Sequence, residues 1–120
     1  ASNTLERTYP RGLDTEVFSM DALTRAWREA LQPHQREHVT PYFYENPDLF
    51  TLLSVTDCDG EYGHHRWTVD TADDLRFVRA VYEALGGDLF GRHEILPLLA
   101  KRPELAAINA HVRQKALVQP

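Results

Sequence analysis

The chain has one cysteine, Cys58, and one methionine, Met20, in 120 residues. A lone cysteine cannot close an internal disulfide, so a disulfide-dense secreted scaffold is excluded and a reducing cytoplasm is the expected compartment. Long apolar runs are absent, which argues against a membrane-spanning helix. No charged, apolar and small-residue order of a signal peptide opens the chain. Positive charge is also in deficit: 13 Lys+Arg against 18 Asp+Glu leaves a net charge of −5. Such a chain offers no broad field to a phosphate backbone, so nucleic acid is not expected as a partner. Lysine itself is scarce, at 2 against 11 arginines. Arginine suits bidentate capture of phosphate or carboxylate. Neither G-x-x-x-x-G-K-[ST] nor G-x-G-x-x-G occurs, so the chain carries no P-loop or dinucleotide fingerprint of its own.

What remains is ordinary globular material, 42% hydrophobic and 26% charged. Its length suits one compact domain over residues 1–120. Leu13–Phe18 alternates in part and reads as a strand. Ser19 is a helix N-cap with Asp21 in the first turn, where the helix dipole favours an acid. Leu23, Ala26, Trp27, Ala30 and Leu31 follow as an apolar stripe, which Pro33 ends. Residues 34–45 suggest a shorter helix that starts or kinks at Pro41. Phe50–Thr56 and His65–Val69 read as strands able to pair across a long connection. Asp57-Cys58-Asp59-Gly60 between them is turn chemistry. Thr71-Ala72-Asp73-Asp74 is close to a capping box, with Asp in place of Glu at the third helical position. An amphipathic helix follows through Leu75, Phe77, Val78, Val81, Tyr82 and Leu85, and Gly86-Gly87 ends it. Ile95–Leu99 suggests another helix interrupted by Pro97, and Pro103 starts a last one. The tail His111–Pro120 is polar and expected to fray. Helices interleave with strands, so the expected class is α/β or α+β.

Several constellations could carry chemistry. Asp70 falls where a strand gives way to a capped helix, the end of a strand at which open α/β sheets bind ligands. Its carboxylate could hold Mg²⁺, or it could merely help to cap the helix. His34, Glu37 and His38 follow H-x-x-E-H, a metal-binding order, but Pro41 spoils a regular metalloprotease helix and no good third ligand follows. Arg36-Glu37-His38 reads better as a polar, substrate-facing edge. Asp57-Cys58-Asp59 could bind a metal–nucleotide pair but reads more simply as a tight turn. Arg11-Gly12-Leu13-Asp14 could line a pocket or form a β-turn.

Four segments occur in one order that resembles a known family: R-T-Y-P-R-G-L-D-T-E-V-F at 7–18, R-E-H-V-T-P-Y at 36–42, R-W-T-V-D-T-A-D-D-L at 66–75 and N-A-H-V-R-Q-K at 109–115. They resemble the spore coat polysaccharide biosynthesis protein F family, within the cytidylyltransferases that include CMP-sugar-acid synthetases. The resemblance covers only the C-terminal half of that family's chain. It implies half of a Rossmann-like nucleotide-diphospho-sugar transferase fold, a few-stranded mixed sheet flanked by helices. The implied reaction activates a sugar or sugar acid with CTP and Mg²⁺ for surface polysaccharide, releasing pyrophosphate. Asp70 matches the metal-binding Asp of V-D-T-x-E-D-L; Asp73 departs from the Glu of that pattern. Arg36, Glu37 and His38, with Arg11, Gly12 and Asp14, would face the sugar substrate. The family's nucleotide-binding half is expected upstream of Ala1, and the chain alone is expected to be inactive. Two alternatives stand beside this: a glycosyltransferase using a nucleotide-sugar donor, and a non-catalytic folding or dimerisation module. A sheet split in this way exposes an unpaired edge, so a homodimer is expected.

Overall fold

A computed structural model describes residues 1–116. Their contacts gather into two compact units: Ala1–Thr8 with Asp14–Gly60 and the described part of Gln114–Pro120, and Tyr9–Leu13 with Glu61–Arg113. The tail expected to fray falls in part outside the described residues.

Among the described residues the first unit holds three helices. In α1, Met20–Glu29, the Ser19 hydroxyl accepts the N–H of Ala22 as the spacing anticipates, and Asp21 lies in the first turn. The helix ends at Glu29, and Pro33 opens the next one: α2 spans Pro33–Glu37 and α3 spans Pro41–Glu45. Both prolines stand at the first helical position, where the missing N–H would have no intrahelical acceptor. Ala26 and Ala30 of α1 pack against Tyr42 and Phe43 of α3, with Ala22, Tyr44 and Phe50 around them. Phe50 meets the Phe43 ring edge-on at 4.9 Å and the Tyr42 ring at 5.9 Å. The Tyr42 hydroxyl donates to Glu29 at 2.7 Å, which tethers the end of α1 to α3 and holds the Glu29 carboxyl below its ordinary range. Trp27 and Leu31, expected on the buried stripe, are mainly exposed.

The second unit is built on α4, Ala72–Leu85. Thr71 and Asp74 form the capping box at its start, and Gly86 closes it in the left-handed conformation at φ 71°. Phe77 and Val81 face a core with Leu99 of α5, Arg92–Lys101, and Leu105 of α6, Pro103–Ala107. Pro97 does not break α5, which runs through it. It removes one backbone donor from the middle of the helix, and its ring faces the carbonyl of His93 one turn earlier.

Among the described residues the mixed sheet expected from the sequence does not form. They are 42% helix and only 4% strand, so they do not make the expected Rossmann-like α/β fold with a mixed sheet. The segments expected as strands meet partners at single points: Ser2 bridges Glu16 and Ser54, and Arg11 bridges Arg66. Phe50–Thr56 and His65–Val69 therefore do not pair with each other as a hairpin. A strand needs a ladder of hydrogen bonds on a neighbouring backbone, and one bridge per segment does not make one. No helix among the described residues is long and apolar enough to cross a membrane.

Candidate functional site

The densest polar cluster of the second unit surrounds Asp74, whose side chain is fully shielded from solvent. Its position follows from local chemistry. As the third residue of α4, it turns back over the helix start and accepts the N–H of Thr71 at 3.0 Å and of Asp70 at 3.1 Å. Its own N–H donates to the Thr71 hydroxyl at 3.2 Å. Two side chains from elsewhere in the unit complete the shell. Arg66 donates from Nε to Oδ1 at 2.9 Å and from a terminal nitrogen to Oδ2 at 3.0 Å, a bidentate pair. Asn109 donates to Oδ1 at 2.9 Å, and its amide nitrogen also reaches the carbonyl of Arg66 at 3.0 Å. With this set of donors the carboxyl is pushed far below its ordinary range, chiefly by Arg66. Burial opposes the shift and loses, as expected where a guanidinium and several N–H groups converge on one carboxylate.

Asp70 sits at the rim of this cluster. Its side chain is 63% exposed and accepts one hydrogen bond from Arg66 at 2.9 Å, on Oδ2. The Arg66 terminal nitrogen thus spans an exposed carboxylate and a buried one, while its own side chain is 9% exposed. Both aspartates raise the guanidinium pKa, Asp74 more than Asp70. No partner engages Oδ1 of Asp70 among the described residues, so one carboxylate oxygen is open. Asp73 is not available in the same way: it accepts from Arg76 at 2.6 Å and pairs with His111 at 2.8 Å. The site thus offers a hard cation one carboxylate oxygen, on a group already paired with Arg66, and does not make a closed all-protein cage.

Arg11 and Gly12 belong to the same unit and lie against the same segment. Arg11 accepts from the N–H of Trp67 at 2.7 Å and donates to the carbonyl of His65 at 3.0 Å. Gly12 has φ 114°, and a Cβ there would stand 2.7 Å from the carbonyl oxygen of Trp67. Glycine is required at this position by backbone approach as well as by conformation. Beyond Arg66, Tyr62, His65 and Trp67 line up as a row of rings, with centroids 6.5 and 5.9 Å apart along it. Burial and the neighbouring His64 push the His65 imidazole below its ordinary range.

The other expected substrate residues belong to the first unit. Asp14 is paired with Arg7 through two contacts, at 2.5 and 3.1 Å. Arg36 donates to the carbonyl of Trp27 at 2.5 Å and so helps to terminate α1. His34 reaches Glu45 at 2.5 Å, and Gln35 donates to the same carboxylate, so His34 is tied into the fold and, among the described residues, the H-x-x-E-H side chains do not meet at a common centre. Gln35 and then His34 hold Glu45 below its ordinary range. Glu37 lies 3.9 Å from His38. The next residue, Val39, has φ 66°, and the N–H of Thr40 returns to the carbonyl of His38 at 2.7 Å. This is a γ-turn around a β-branched residue, a strained arrangement that is rare outside constrained sites.

Asp57, Cys58 and Asp59 form the expected turn. The N–H of Asp59 donates to the Asp57 side chain at 3.0 Å, and the potential ligand atoms of all three lie within 4.8 Å of one another.

Sequence reasoning singled out Asp70 but missed Arg66, Asp74 and Asn109. The signal was present: Arg66 opens the R-W-T-V-D-T-A-D-D-L segment, Asp74 lies within it, and Asn109 opens N-A-H-V-R-Q-K. The ends of two motifs 43 residues apart meet on one carboxylate.

No protein-family model matches the chain. The chain is 39% identical over 111 residues to the uncharacterized protein MJ1063 of Methanocaldococcus jannaschii, a match that takes in 88% of this chain and 44% of that protein. Among solved structures it is similar to a cytidylyltransferase from Leptospira borgpetersenii serovar Hardjo-bovis, with a TM-score of 0.82 and 23% identity. That match covers 96% of this chain and 47% of the other. The chain thus spans less than half the length of either protein and shares the fold of part of a cytidylyltransferase.

Proposed function

We propose that the chain is part of a nucleotidyltransferase that activates a sugar or sugar acid with CTP for surface polysaccharide synthesis, in the manner of the spore coat polysaccharide biosynthesis protein F family. The observation that supports this best is Asp70. Its exposed carboxylate, with one open oxygen, stands on a rigid platform made by Arg66, Asp74 and Asn109. The fold shared with a cytidylyltransferase is consistent with it.

In this proposal a sugar oxygen attacks the α-phosphorus of the nucleotide, forming one P–O bond as the bond to pyrophosphate breaks. Such a transfer depends on positioning and on neutralising charge more than on a covalent nucleophile. Asp70 would hold Mg²⁺, which supplies neutralisation of the phosphate oxygens. Arg66 and Asp74 keep the Asp70 carboxylate in one place. Arg11 and Gly12, which lie in the same unit as Asp70, would contact the sugar substrate. The phosphate-binding loop would come from the part of the longer protein that this chain does not span. The setting would be cytoplasmic and the assembly a homodimer.

The test combines the chain with the remaining half of a full-length relative, CTP, Mg²⁺ and candidate sugar acids, and follows pyrophosphate release. Loss of turnover in Asp70→Ala, with an unchanged circular dichroism spectrum, is the expected result. Unchanged turnover would remove Asp70 from the metal site. Release of a nucleoside diphosphate in place of pyrophosphate would assign glycosyl transfer instead.

A further inference from the structure

His111, of the N-A-H-V-R-Q-K segment, and Asp73 form an imidazole–carboxylate pair at the start of α4. The imidazole is held from two directions. On the chain side, the buried Asn109 donates to Oδ1 of Asp74 at 2.9 Å and to the carbonyl of Arg66 at 3.0 Å. The N–H of Val112 closes a turn onto the carbonyl of Asn109 at 3.0 Å, with His111 at its third position. On the ring side, Nε2 lies 2.8 Å from Oδ2 of Asp73. Asp73 is itself fixed through its other oxygen, to which Arg76 donates from Nε at 3.1 Å and from a terminal nitrogen at 2.6 Å. Arg76 first, and His111 after it, hold the Asp73 carboxyl below its ordinary range. A carboxylate can only accept, so in the neutral ring Nε2 carries the proton and Nδ1 the lone pair. Nδ1 has no partner among the described residues, and the His111 side chain is 65% exposed.

We propose that His111 is the general base of the transfer, taking the proton of the sugar hydroxyl that attacks the α-phosphorus, with Asp73 as the residue that positions it. The proposal rests on the nucleotidyl-transfer reading given above. Asp73 is the second residue of α4 and Asp70 stands two residues before the helix, so both lie on one rim of one unit. Of the side chains on that rim, Asp74 is buried, Asp73 has both oxygens engaged and Asp70 is given to the cation. The imidazole is left as the proton acceptor. As the sugar oxygen bonds to phosphorus, its proton passes to Nδ1, and the electron pair of the breaking P–O bond leaves with pyrophosphate. The exposed imidazolium then returns its proton to water. A ring with its far nitrogen tied to a carboxylate keeps one tautomer and one orientation, which is what a base in hydrogen-bond reach of a hydroxyl needs.

Two measurements test it. Nitrogen-15 spectra of the chain at about pH 8.5, where an ordinary imidazole is neutral, should show His111 protonated on Nε2, and Asp73→Asn should weaken that preference. A proton on Nδ1 overturns the proposal. The second measurement is turnover, with the remaining half of a full-length relative, CTP, Mg²⁺ and a sugar acid that the wild type turns over. His111→Ala should lower kcat for pyrophosphate release by roughly a hundredfold or more, leave KM for CTP unchanged, and regain part of the loss when free imidazole is added. Asp73→Asn should lower kcat less, and imidazole should not restore it, since the base is still present. Undiminished turnover in His111→Ala, or a loss that imidazole does not relieve, overturns the proposal while the nucleotidyl-transfer reading stands. If the wild type releases no pyrophosphate with any sugar acid, that reading fails and the base falls with it.

Discussion

Arg66 grips Asp74 with two parallel hydrogen bonds, at 2.9 and 3.0 Å, and reaches Asp70 with the same terminal nitrogen at 2.9 Å. One guanidinium therefore couples a buried carboxylate to an exposed one. The two aspartates are four residues apart, yet one side chain is fully buried and the other 63% exposed.

Breaking the buried pair should be costly. Arg66→Met leaves the Asp74 carboxylate buried without its cation, and a loss of about 3–5 kcal/mol is expected. Replacing both residues together, Arg66→Met with Asp74→Leu, removes the uncompensated charge but leaves the N–H groups of Asp70 and Thr71 and the Asn109 amide without their acceptor, so it should recover only a small part of that loss. Urea denaturation of the wild type, the single variant and the double variant measures the difference.

Asp74 also sets the acid limit of the fold. Its native carboxyl titrates well below the ordinary aspartate value of 3.8, so the folded state binds this proton less readily than the unfolded chain does. The resulting stability is fully present above the unfolded value and drains away as pH falls below about 4. Thermal melts between pH 7 and pH 2 should show Tm falling steeply in the acid range. The slope should flatten in Asp74→Asn, which has no charge to lose there.

Glycine positions offer a contrast in kind. At Gly12 a Cβ would collide with the backbone of Trp67, and φ is positive as well, so Gly12→Ala should cost about 2–3 kcal/mol. At Gly86 the conformation is left-handed but nothing lies within 4 Å, so Gly86→Ala should cost only about 1 kcal/mol. Chemical denaturation of the two variants side by side checks the order.

The γ-turn at Val39 carries a strain that glycine would relieve. Val39 is partly exposed and has φ 66°, so Val39→Gly should raise stability by about 1 kcal/mol. Should the turn also position Glu37 and His38 for a sugar, the same variant will weaken substrate binding while stabilising the fold. Melting and calorimetric titration with candidate sugar acids separate the two effects.

Asp70→Asn should leave stability within about 1 kcal/mol, because an exposed ion pair contributes little. Isothermal titration with Mg²⁺ and CTP in the reconstituted protein should nevertheless show weaker binding. The Arg66→Met variant should weaken it too, through loss of the platform.

How much of this was legible in the sequence follows from the range of each interaction. Helix α4 could be read from Thr71, the apolar spacing and Gly86, since caps and 3.6-residue periodicity act within a turn or two of the chain. The same holds for Ser19 on α1 and for Pro41 and Pro103 as helix starts. The strands were misread for a physical reason: alternation makes a segment extended, but a sheet requires a second backbone to ladder with it, and these segments find only single bridges. Trp27 fell on an apolar stripe and yet is 65% exposed, because amphipathic spacing states which residues share a face and not what covers that face. Asp70 was marked as the residue at the helix entrance by its local position alone. That Asp74, three residues inside α4, would be the buried centre depended on Arg66 and Asn109, 8 residues before it and 35 after it. Only the tertiary structure could bring those donors to one carboxylate, since the cost of burying a charge is met by whatever the fold packs around it.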